Sequence, residues 1–282
     1  ALLNSQPMGF YAPAQLIQDV RRHGVQVKPI DVTVSDWEST LEQDDEVLAL
    51  RLGLHLINGL SQTGAVRLMN ARADRVFSDL QDFAQRTRLN KTDLQALAAA
   101  NAFMALVKSH RKMAYWEVAG ISTPTPILNR THFNEGTPMI PKATPVDDVH
   151  ADYASIGLTL GPHPLALIRP ILCGLGLSTR EELYRQSHGQ TAKVAGLVIA
   201  RQRPASANNV TFVTLEDETG SINLVVWKKI AEQYASILLG ASVISASGTI
   251  QREGDILHLV IYQLIDLSYL LDSLTTQSRN FC

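Results

Sequence analysis

The sequence predicts an α+β chain of several domains, in which a basic helical region is followed by a five-stranded β-barrel. The barrel prediction rests on Lys193–Trp227, which has the pattern of two strands across a polar loop and a tight turn into a third strand. The helical prediction rests on apolar residues at helical spacing and on capping residues between positions 53 and 120. The 282 residues are 45% hydrophobic, enough to bury separate cores.

Residue alternation in the predicted barrel separates an inner face from an outer face. Val213 and Leu215 share one face of the second strand, while Phe212 and Thr214 share the other, because side chains alternate along a strand. Phe212 is therefore predicted to be an aromatic residue on the outer surface. Gly196, in the middle of the first strand, is predicted to form a bulge that lets the barrel close.

The order of the remaining elements indicates the type of barrel. Lys228–Tyr234 is predicted to be helical, and Ser242–Gln251 and Ile256–Ile265 are predicted to be strands around a turn at residues 252–255. Three strands, a helix and two strands are typical of an OB fold. Another small five-stranded barrel remains an alternative.

Charge is segregated along the chain although the net charge is only −2. Residues 50–112 contain ten Lys or Arg against four Asp or Glu, whereas residues 1–49 contain three against eight. A basic segment of this size is typical of a phosphate-binding surface, and a solvated basic face is the alternative. Residues 190–265 are neutral, with six basic and six acidic residues.

The first 52 residues predict a helix and a short sheet. Pro13 suits a helix start, and Gly24 follows a basic last turn. The segment Asp36–Leu41 is predicted to pair with Val47–Leu52 around an acidic turn. The chain begins Ala-Leu-Leu-Asn without Met, which indicates a piece of a longer protein.

Residues 53–103 predict two successive helical hairpins. Ile57-Asn58-Gly59-Leu60 has the form of a helix-hairpin-helix turn, and Ser61 is predicted to cap the helix through Arg72. Backbone N–H groups at such a turn can hold a phosphate oxygen. Ser78 and Gln81 are predicted to form a capping box before a second basic turn. An ordinary helical hairpin is the alternative. The residues predicted to bind duplex backbone are Asn58, Gly59, Ser61, Arg67, Arg72, Arg86, Arg88 and Lys91.

The barrel supplies a second set of candidate binding residues. OB folds bind single strands by stacking bases on aromatic side chains and by following the backbone with cations. Arg201 and Arg203 end the first strand. Lys193 is separated from each of them by an even number of positions, so strand alternation predicts that all three side chains lie on one face. The residues predicted to bind a single strand are Lys193, Arg201, Arg203, Phe212, Thr214 and Asn223.

Other candidate chemistry is weak in this sequence. The eight histidines show no metal-ligand spacing, and the sequence contains no nucleotide-binding glycine motif. Cys173 is predicted to be a buried thiol and Cys282 a terminal one, while Tyr115 and Trp116 are predicted to lie in a core. Without a signal peptide or an apolar membrane span, we expect a cytoplasmic protein with no membrane partner.

Several segments resemble one family. Asn4–Glu42, with Gln6-Pro7-Met8-Gly9-Phe10-Tyr11 and Asp36-Trp37, resembles the end of the fingers region of bacterial C-family DNA polymerases, in particular their error-prone branch. The hairpins, the segment HRKMAYWEVA from His110, and GLTLGPHPL from Gly157 are similar to successive parts of the same family.

The resemblance implies how the chain is divided. The predicted units are the end of the fingers (1–52), tandem helix-hairpin-helix (53–120), a proline-rich linker (121–147), a helical connector (148–189), the OB fold (190–270) and a tail (271–282). The chain would be the C-terminal DNA-binding portion of a damage-induced, translesion DNA polymerase that acts in the SOS response. The hairpins would contact primer–template duplex and the barrel the single-stranded template.

The resemblance also implies cofactors and partners. The family's catalytic carboxylates lie in its palm, outside the matched region, so we expect no cofactor in this fragment, Mg²⁺ in the parent enzyme, and no nucleotide incorporation by this chain alone. Mutasome proteins, including an inactive Y-family-like protein, are implied partners. Gln263–Leu267 is a poor clamp-binding motif because Asp266 stands where an apolar residue is needed, so any sliding-clamp contact would be indirect.

Two alternatives remain open. In the first, the barrel docks a mutasome protein with little DNA contact. In the second, the chain is an unrelated nucleic-acid-binding protein with the same two modules. The resemblance at Asn4–Glu42 counts against the second alternative.

Overall fold

The computed structural model describes residues 2–6, 12–44, 47–121, 140–203, 210–254 and 256–271. Its chain divides into two compact units, Ala1–Gly161 and Pro162–Cys282. Four predicted features lie wholly or largely outside the described residues. These are the Gln6–Tyr11 motif, most of the proline-rich linker, the loop at 204–209 and the tail with Cys282.

The first unit is mainly helical and contains a small sheet. Leu2–Ser5 and Leu54–Leu56 are 3-10 turns. Its helices are α1 (Pro13–Arg22), α2 (Gln62–Asp74), α3 (Leu80–Thr87), α4 (Lys91–Ala99), α5 (Met104–Val107), α6 (Arg111–Gly120) and α7 (Pro145–Ile156). Its strands are β1 (Gln26–Lys28), β2 (Thr40–Asp44) and β3 (Val47–Arg51), in the order β1-β3-β2.

One hydrophobic core holds this unit together. Its buried members extend from Leu3 to Leu158 and include Leu52, Phe83 and Phe103. Phe83 packs edge-on against Phe77 and Phe103, with ring centroids 4.9 and 5.1 Å apart. Residues 1–52 and 53–120, which the sequence analysis separates, therefore contribute to the same core, as does α7.

The predicted strand pair of the first unit is confirmed with shifted bounds. β2 and β3 pair in antiparallel register, with Leu41 opposite Leu50. The predicted capping box at Ser78 is wrong. Asp79 caps α3 by accepting a hydrogen bond from the N–H of Asp82, and Ser78 instead donates its own N–H to the Asp82 carboxylate.

Two predicted core aromatics of the first unit are exposed. Tyr115 and Trp116 on α6 are 41% and 53% exposed, because α6 turns Met113, Ala114 and Val118 toward the core instead. The prediction of their burial was therefore wrong.

The second unit is a closed five-stranded barrel preceded by two helices. The elements are α8 (Pro164–Gly174), α9 (Arg180–Tyr184), β4 (Thr191–Gln202), β5 (Thr211–Asp217), β6 (Gly220–Val226), α10 (Lys228–Gln233), α11 (Ala235–Gly240), β7 (Val243–Glu253) and β8 (Ile256–Asp266). The strand order around the barrel is β4-β5-β6-β8-β7. The predicted fold class, a helical region followed by an OB-type barrel, is confirmed.

Barrel closure depends on a glycine and on a bulge at different positions. The register shift in β4 lies between Val198 and Ala200, so the predicted bulge at Gly196 is wrong. Gly196 is needed for another reason, since a Cβ there would lie 2.5 Å from the Cβ of Leu215. The strands can approach this closely only because residue 196 has no side chain.

Two further predictions concern the second unit. The Gln263–Leu267 segment lies at the end of β8, as predicted, with Leu264 and Leu267 buried. The prediction that Cys173 is buried is wrong, because α8 turns this residue outward and buries Ile168 and Leu172.

Candidate nucleic-acid interface

The first predicted hairpin turn has the expected backbone shape. Gly59 adopts a positive φ of 83°, and Ser61 caps α2 by accepting a 3.0 Å hydrogen bond from the N–H of Gly64. The N–H groups of Gly59, Gln62 and Thr63 have no acceptor among the residues that the structure describes, and all three residues are exposed. The turn can therefore offer these N–H groups to an anion.

A buried carboxylate already satisfies part of this turn. Asp93, in the first turn of α4, is 1% exposed and accepts hydrogen bonds from the N–H of Ser61 at 2.9 Å and from its hydroxyl at 3.0 Å. The N–H of Asn58 donates to Ser155 O at 2.8 Å, and its side-chain amide donates to Ala154 O at 3.1 Å. Asn58 and Ser61 therefore anchor the turn within the first unit.

Asp93 was missed by the sequence analysis. Its only local signal is its place three residues after Asn90, which caps α4 by accepting the N–H of Asp93 at 2.8 Å. The pairing with Ser61 spans 32 residues and cannot be recognised from local spacing.

The second hairpin turn brings three predicted cations together. Arg88 ends α3 in the left-handed conformation, with φ 49°, and Lys91 begins α4. Arg67 reaches this turn from α2 and donates to Arg88 O at 2.9 Å. All three residues are exposed, and none forms an ion pair with another residue in the described part of the chain.

Much of the remaining positive charge of residues 50–112 is paired internally. The pairs are Arg51–Glu42, Arg72–Asp36, Arg75–Asp82, Arg86–Asp82, Arg111–Asp152 and Lys112–Asp147. Several of these carboxylates lie outside residues 50–112, so the local charge surplus in the sequence overstates the charge available to a ligand. The available charge is concentrated at the second turn.

Arg72 and Arg86 have internal partners. Arg72 donates to Ser35 O at 2.8 Å and pairs with Asp36 at 2.7 Å, and its side chain is 17% exposed. Arg86 donates to the carbonyls of Ala71 and Arg75 and pairs with Asp82 at 3.2 Å. This geometry favours structural roles for both arginines.

The pKa of Asp82 reflects this network. Burial would raise the pKa, but the N–H of Ser78 and the guanidinium groups of Arg86 and Arg75 outweigh burial and hold the pKa below its usual value. Asp82 is therefore ionised when Arg86 is bound to it.

The outer face of the barrel brings together three of the predicted single-strand contacts. Phe212 is 36% exposed, as predicted, and lies opposite Val225 of β6. Thr214 lies opposite Asn223, with 3.4 Å between Thr214 Oγ1 and Asn223 Oδ1. These residues combine an aromatic surface with hydrogen-bonding groups.

The predicted common face for Lys193, Arg201 and Arg203 is wrong. After the bulge between Val198 and Ala200, the residues of β4 that face inward and outward are exchanged. Arg201 is therefore opposite Val213, a residue of the inner face. Arg201 donates to Ala241 O. Lys193 is exposed beside β7, and Ala200 and Gln202 are the β4 residues that accompany Thr214 and Phe212.

Two protein families match this chain. A helix-hairpin-helix motif family matches residues 24–113, and a family described as OB-fold nucleic acid binding domain matches residues 192–267. These ranges contain both hairpin turns and all but the first residue of the five-stranded barrel.

Curated relatives match the chain over its entire length. An error-prone DNA polymerase from Methylococcus capsulatus is 48% identical and one from Alkalilimnicola ehrlichii is 49% identical, each aligned with 100% of this chain. The chain is homologous to error-prone DNA polymerases. A third error-prone DNA polymerase, from Pseudomonas savastanoi pv. phaseolicola, is 42% identical over 100% of the chain. The chain spans 27–29% of the length of these error-prone DNA polymerases.

Two further features of the described residues concern metals and membranes. These residues contain no group of three or more His, Cys, Asp or Glu side chains placed to hold a metal ion. None of their helices combines the length and the apolar character that crossing a bilayer would need.

Proposed function

We propose that this chain is a DNA-binding part of an error-prone, damage-induced DNA polymerase that carries out translesion synthesis. In this proposal the second hairpin turn binds the phosphate backbone of duplex DNA, and the outer barrel face binds the single-stranded template. The observation that carries the proposal is the convergence of Arg67, Arg88 and Lys91 at one exposed turn of a helix-hairpin-helix region. The catalytic carboxylates and Mg²⁺ belong, in this proposal, to the rest of the polymerase.

The two hairpin turns have different tasks in this proposal. The carboxylate of Asp93 already accepts the N–H and the hydroxyl of Ser61, so these two groups are not available to a phosphate. The first turn therefore contributes mainly the exposed N–H groups of Gly59, Gln62 and Thr63. The second turn contributes long cationic side chains, which can reach phosphates on a duplex.

Replacing Arg88 or Lys91 by alanine is expected to weaken duplex binding without lowering stability. Each side chain is exposed and would neutralise about one phosphate, so each replacement should reduce the slope of log affinity against log salt by about one. The measurement is fluorescence anisotropy with a labelled 20-base-pair duplex at several salt concentrations.

Arg22→Ala provides the matched control for this experiment. Arg22 is an exposed arginine of the same unit, on α1, and its side chain donates to Gln18. Its loss removes the same charge from a different surface and should leave the slope unchanged. Equal slopes for wild type, Arg88→Ala and Lys91→Ala would contradict the proposed contact.

Docking of a mutasome protein is the second candidate function for the barrel. It is favoured by the neutral charge of residues 190–265, because domains that bind single strands strongly usually have a positively charged groove. Docking without DNA contact predicts no oligonucleotide binding to the barrel even at low salt. In the proposed polymerase, mutasome proteins recruit the enzyme and sliding-clamp contact is indirect.

A further inference from the structure

Two exposed aromatic residues continue the face on which Phe212 lies. Trp227 is 55% exposed and Tyr262 is 47% exposed, both more than Phe212. Neither was among the predicted binding residues. Side chains alternate along β6, so Asn223 and Val225 face outward, and Trp227 is the first residue after this strand.

The strand register relates both residues to Phe212. Phe212 pairs with Val225, two residues before Trp227, and large side chains at such a spacing on paired strands can interact. The parallel β6–β8 pairing ends at Val225 and Val260. Tyr262 lies two residues beyond Val260 on β8, and Trp227 lies two residues beyond Val225, directly after β6 ends.

The surfaces of these rings are available. In the described part of the chain, none of the three rings packs against another aromatic ring or lies under a cation. Tyr262 is the extra residue at the register shift of β8, since Ile261 pairs with Gly248 and Gln263 with Ser247. A bulge of this kind re-aims a side chain at the edge of a barrel.

Positive charge adjoins the aromatic group. Lys228 and Lys229 directly follow Trp227 and are exposed. Lys228 lies 3.9 Å from Glu232 in a solvent-exposed pair, which contributes little and can be exchanged for another anion. Lys229 forms no ion pair with any residue that the structure describes.

We propose that single-stranded DNA runs diagonally over β5, β6 and β8, stacking bases on Phe212, Trp227 and Tyr262 while Lys228 and Lys229 contact its phosphates. This inference rests on the proposed function and defines the path of the strand. Ring surfaces with adjoining cations suit the bases and phosphates of a nucleic-acid strand, and Thr214 and Asn223 supply hydrogen-bonding groups on the same barrel face as Phe212.

The test is titration of the 282-residue chain with a labelled oligothymidylate of 15 nucleotides at low salt. Trp227→Ala and Tyr262→Ala are each expected to lower the affinity about tenfold, the effect of losing one stacked base. Trp227→Phe keeps an aromatic surface and should retain most of the affinity, whereas Trp227→Leu should not. Lys229→Ala should reduce the salt slope by about one.

Matched controls come from α6 of the first unit. Trp116 and Tyr115 are 53% and 41% exposed, close to the exposures of Trp227 and Tyr262. Their replacement by alanine should leave oligothymidylate affinity unchanged, and thermal unfolding confirms that each variant is folded.

The outcomes separate this inference from the proposed function. If Phe212→Ala weakens the oligothymidylate binding of the wild type but Trp227→Ala and Tyr262→Ala do not, the proposed path is wrong. The barrel would then remain a single-strand-binding module. Absence of oligothymidylate binding to wild type at low salt overturns both the path and single-strand binding by the barrel, and favours protein docking, while the duplex titration tests the hairpin turn separately. Equal affinities for Trp227→Leu and Trp227→Phe would also overturn base stacking at this position.

Discussion

Replacing Gly53 by alanine is expected to destabilise the first unit by about 3 kcal/mol or more. A Cβ at this position would lie 2.5 Å from Ser39 N and 2.6 Å from Trp37 O, and would also overlap the carbonyl carbon of Glu38. These are backbone atoms, so no side-chain rotation can relieve the overlap. The chain on both sides of Gly53 is tied to the same segment, since Leu54 N–H donates to Asp36 O at 2.8 Å.

The measurement for Gly53→Ala is calorimetric unfolding of the whole chain, combined with hydrogen exchange of peptides from residues 36–57. The transition of the first unit should fall by roughly 6–12 °C, and exchange should rise in this segment. Gly120→Ala is the matched control, because a Cβ at position 120 meets no atom within 4 Å. A Gly53→Ala protein that unfolds like Gly120→Ala would show that residues 37–39 do not pack on Gly53.

The elements of this fold that could be predicted are those specified by nearby residues. The strands of the barrel follow from the two-residue alternation around Val213 and Leu215 and from turn residues such as Gly220. The cap at Ser61 likewise needs only the N–H of Gly64, three residues away. Local patterns of this kind also placed Phe212 on the outer face.

The features that could not be predicted depend on partners far along the chain. The bulge in β4 is defined by its register with β5, and the parity of Arg201 depends on that bulge. Asp93 acquires its role from Ser61, and Arg72 acquires its role from Asp36. A basic residue looks the same in a sequence whether its guanidinium faces a phosphate or a buried carbonyl, which explains why the predicted duplex contacts mix both kinds.

The exposure of the aromatic residues also depends on features that the sequence alone does not reveal. Trp116 and Tyr115 lie in an apolar helical segment, and only the orientation of α6 turns them toward solvent. Trp227 directly follows β6, and its relation to Tyr262 depends on a parallel pairing between strands that are 35 positions apart in the chain. Single-sequence patterns contain no information about that pairing.

Replacing Arg86 by alanine is expected to destabilise the first unit by about 2–4 kcal/mol, because hydrogen bonds to a charged donor would be lost from partly buried acceptors. The guanidinium binds the carbonyl oxygens of Ala71 and Arg75 at the end of α2 and lies 4.8 Å from the centroid of the Phe77 ring. It also balances the charge of Asp82 on α3. Arg86 therefore joins the end of α2 to α3.

Arg88→Ala and Arg86→Lys make this prediction specific. Arg88 lies two residues away and is exposed, so its replacement should reduce DNA affinity while leaving the free energy of unfolding unchanged. Lysine at position 86 keeps the positive charge, but its ammonium group cannot bind the two carbonyl oxygens and Asp82 at once as the planar guanidinium does. Arg86→Lys should therefore retain only part of the stability that Arg86→Ala loses. The measurements are urea unfolding and duplex anisotropy on the same three proteins. If Arg86→Ala unfolded like wild type but lost duplex affinity as Arg88→Ala does, Arg86 would be a DNA contact and the assignment made from its internal partners would be wrong.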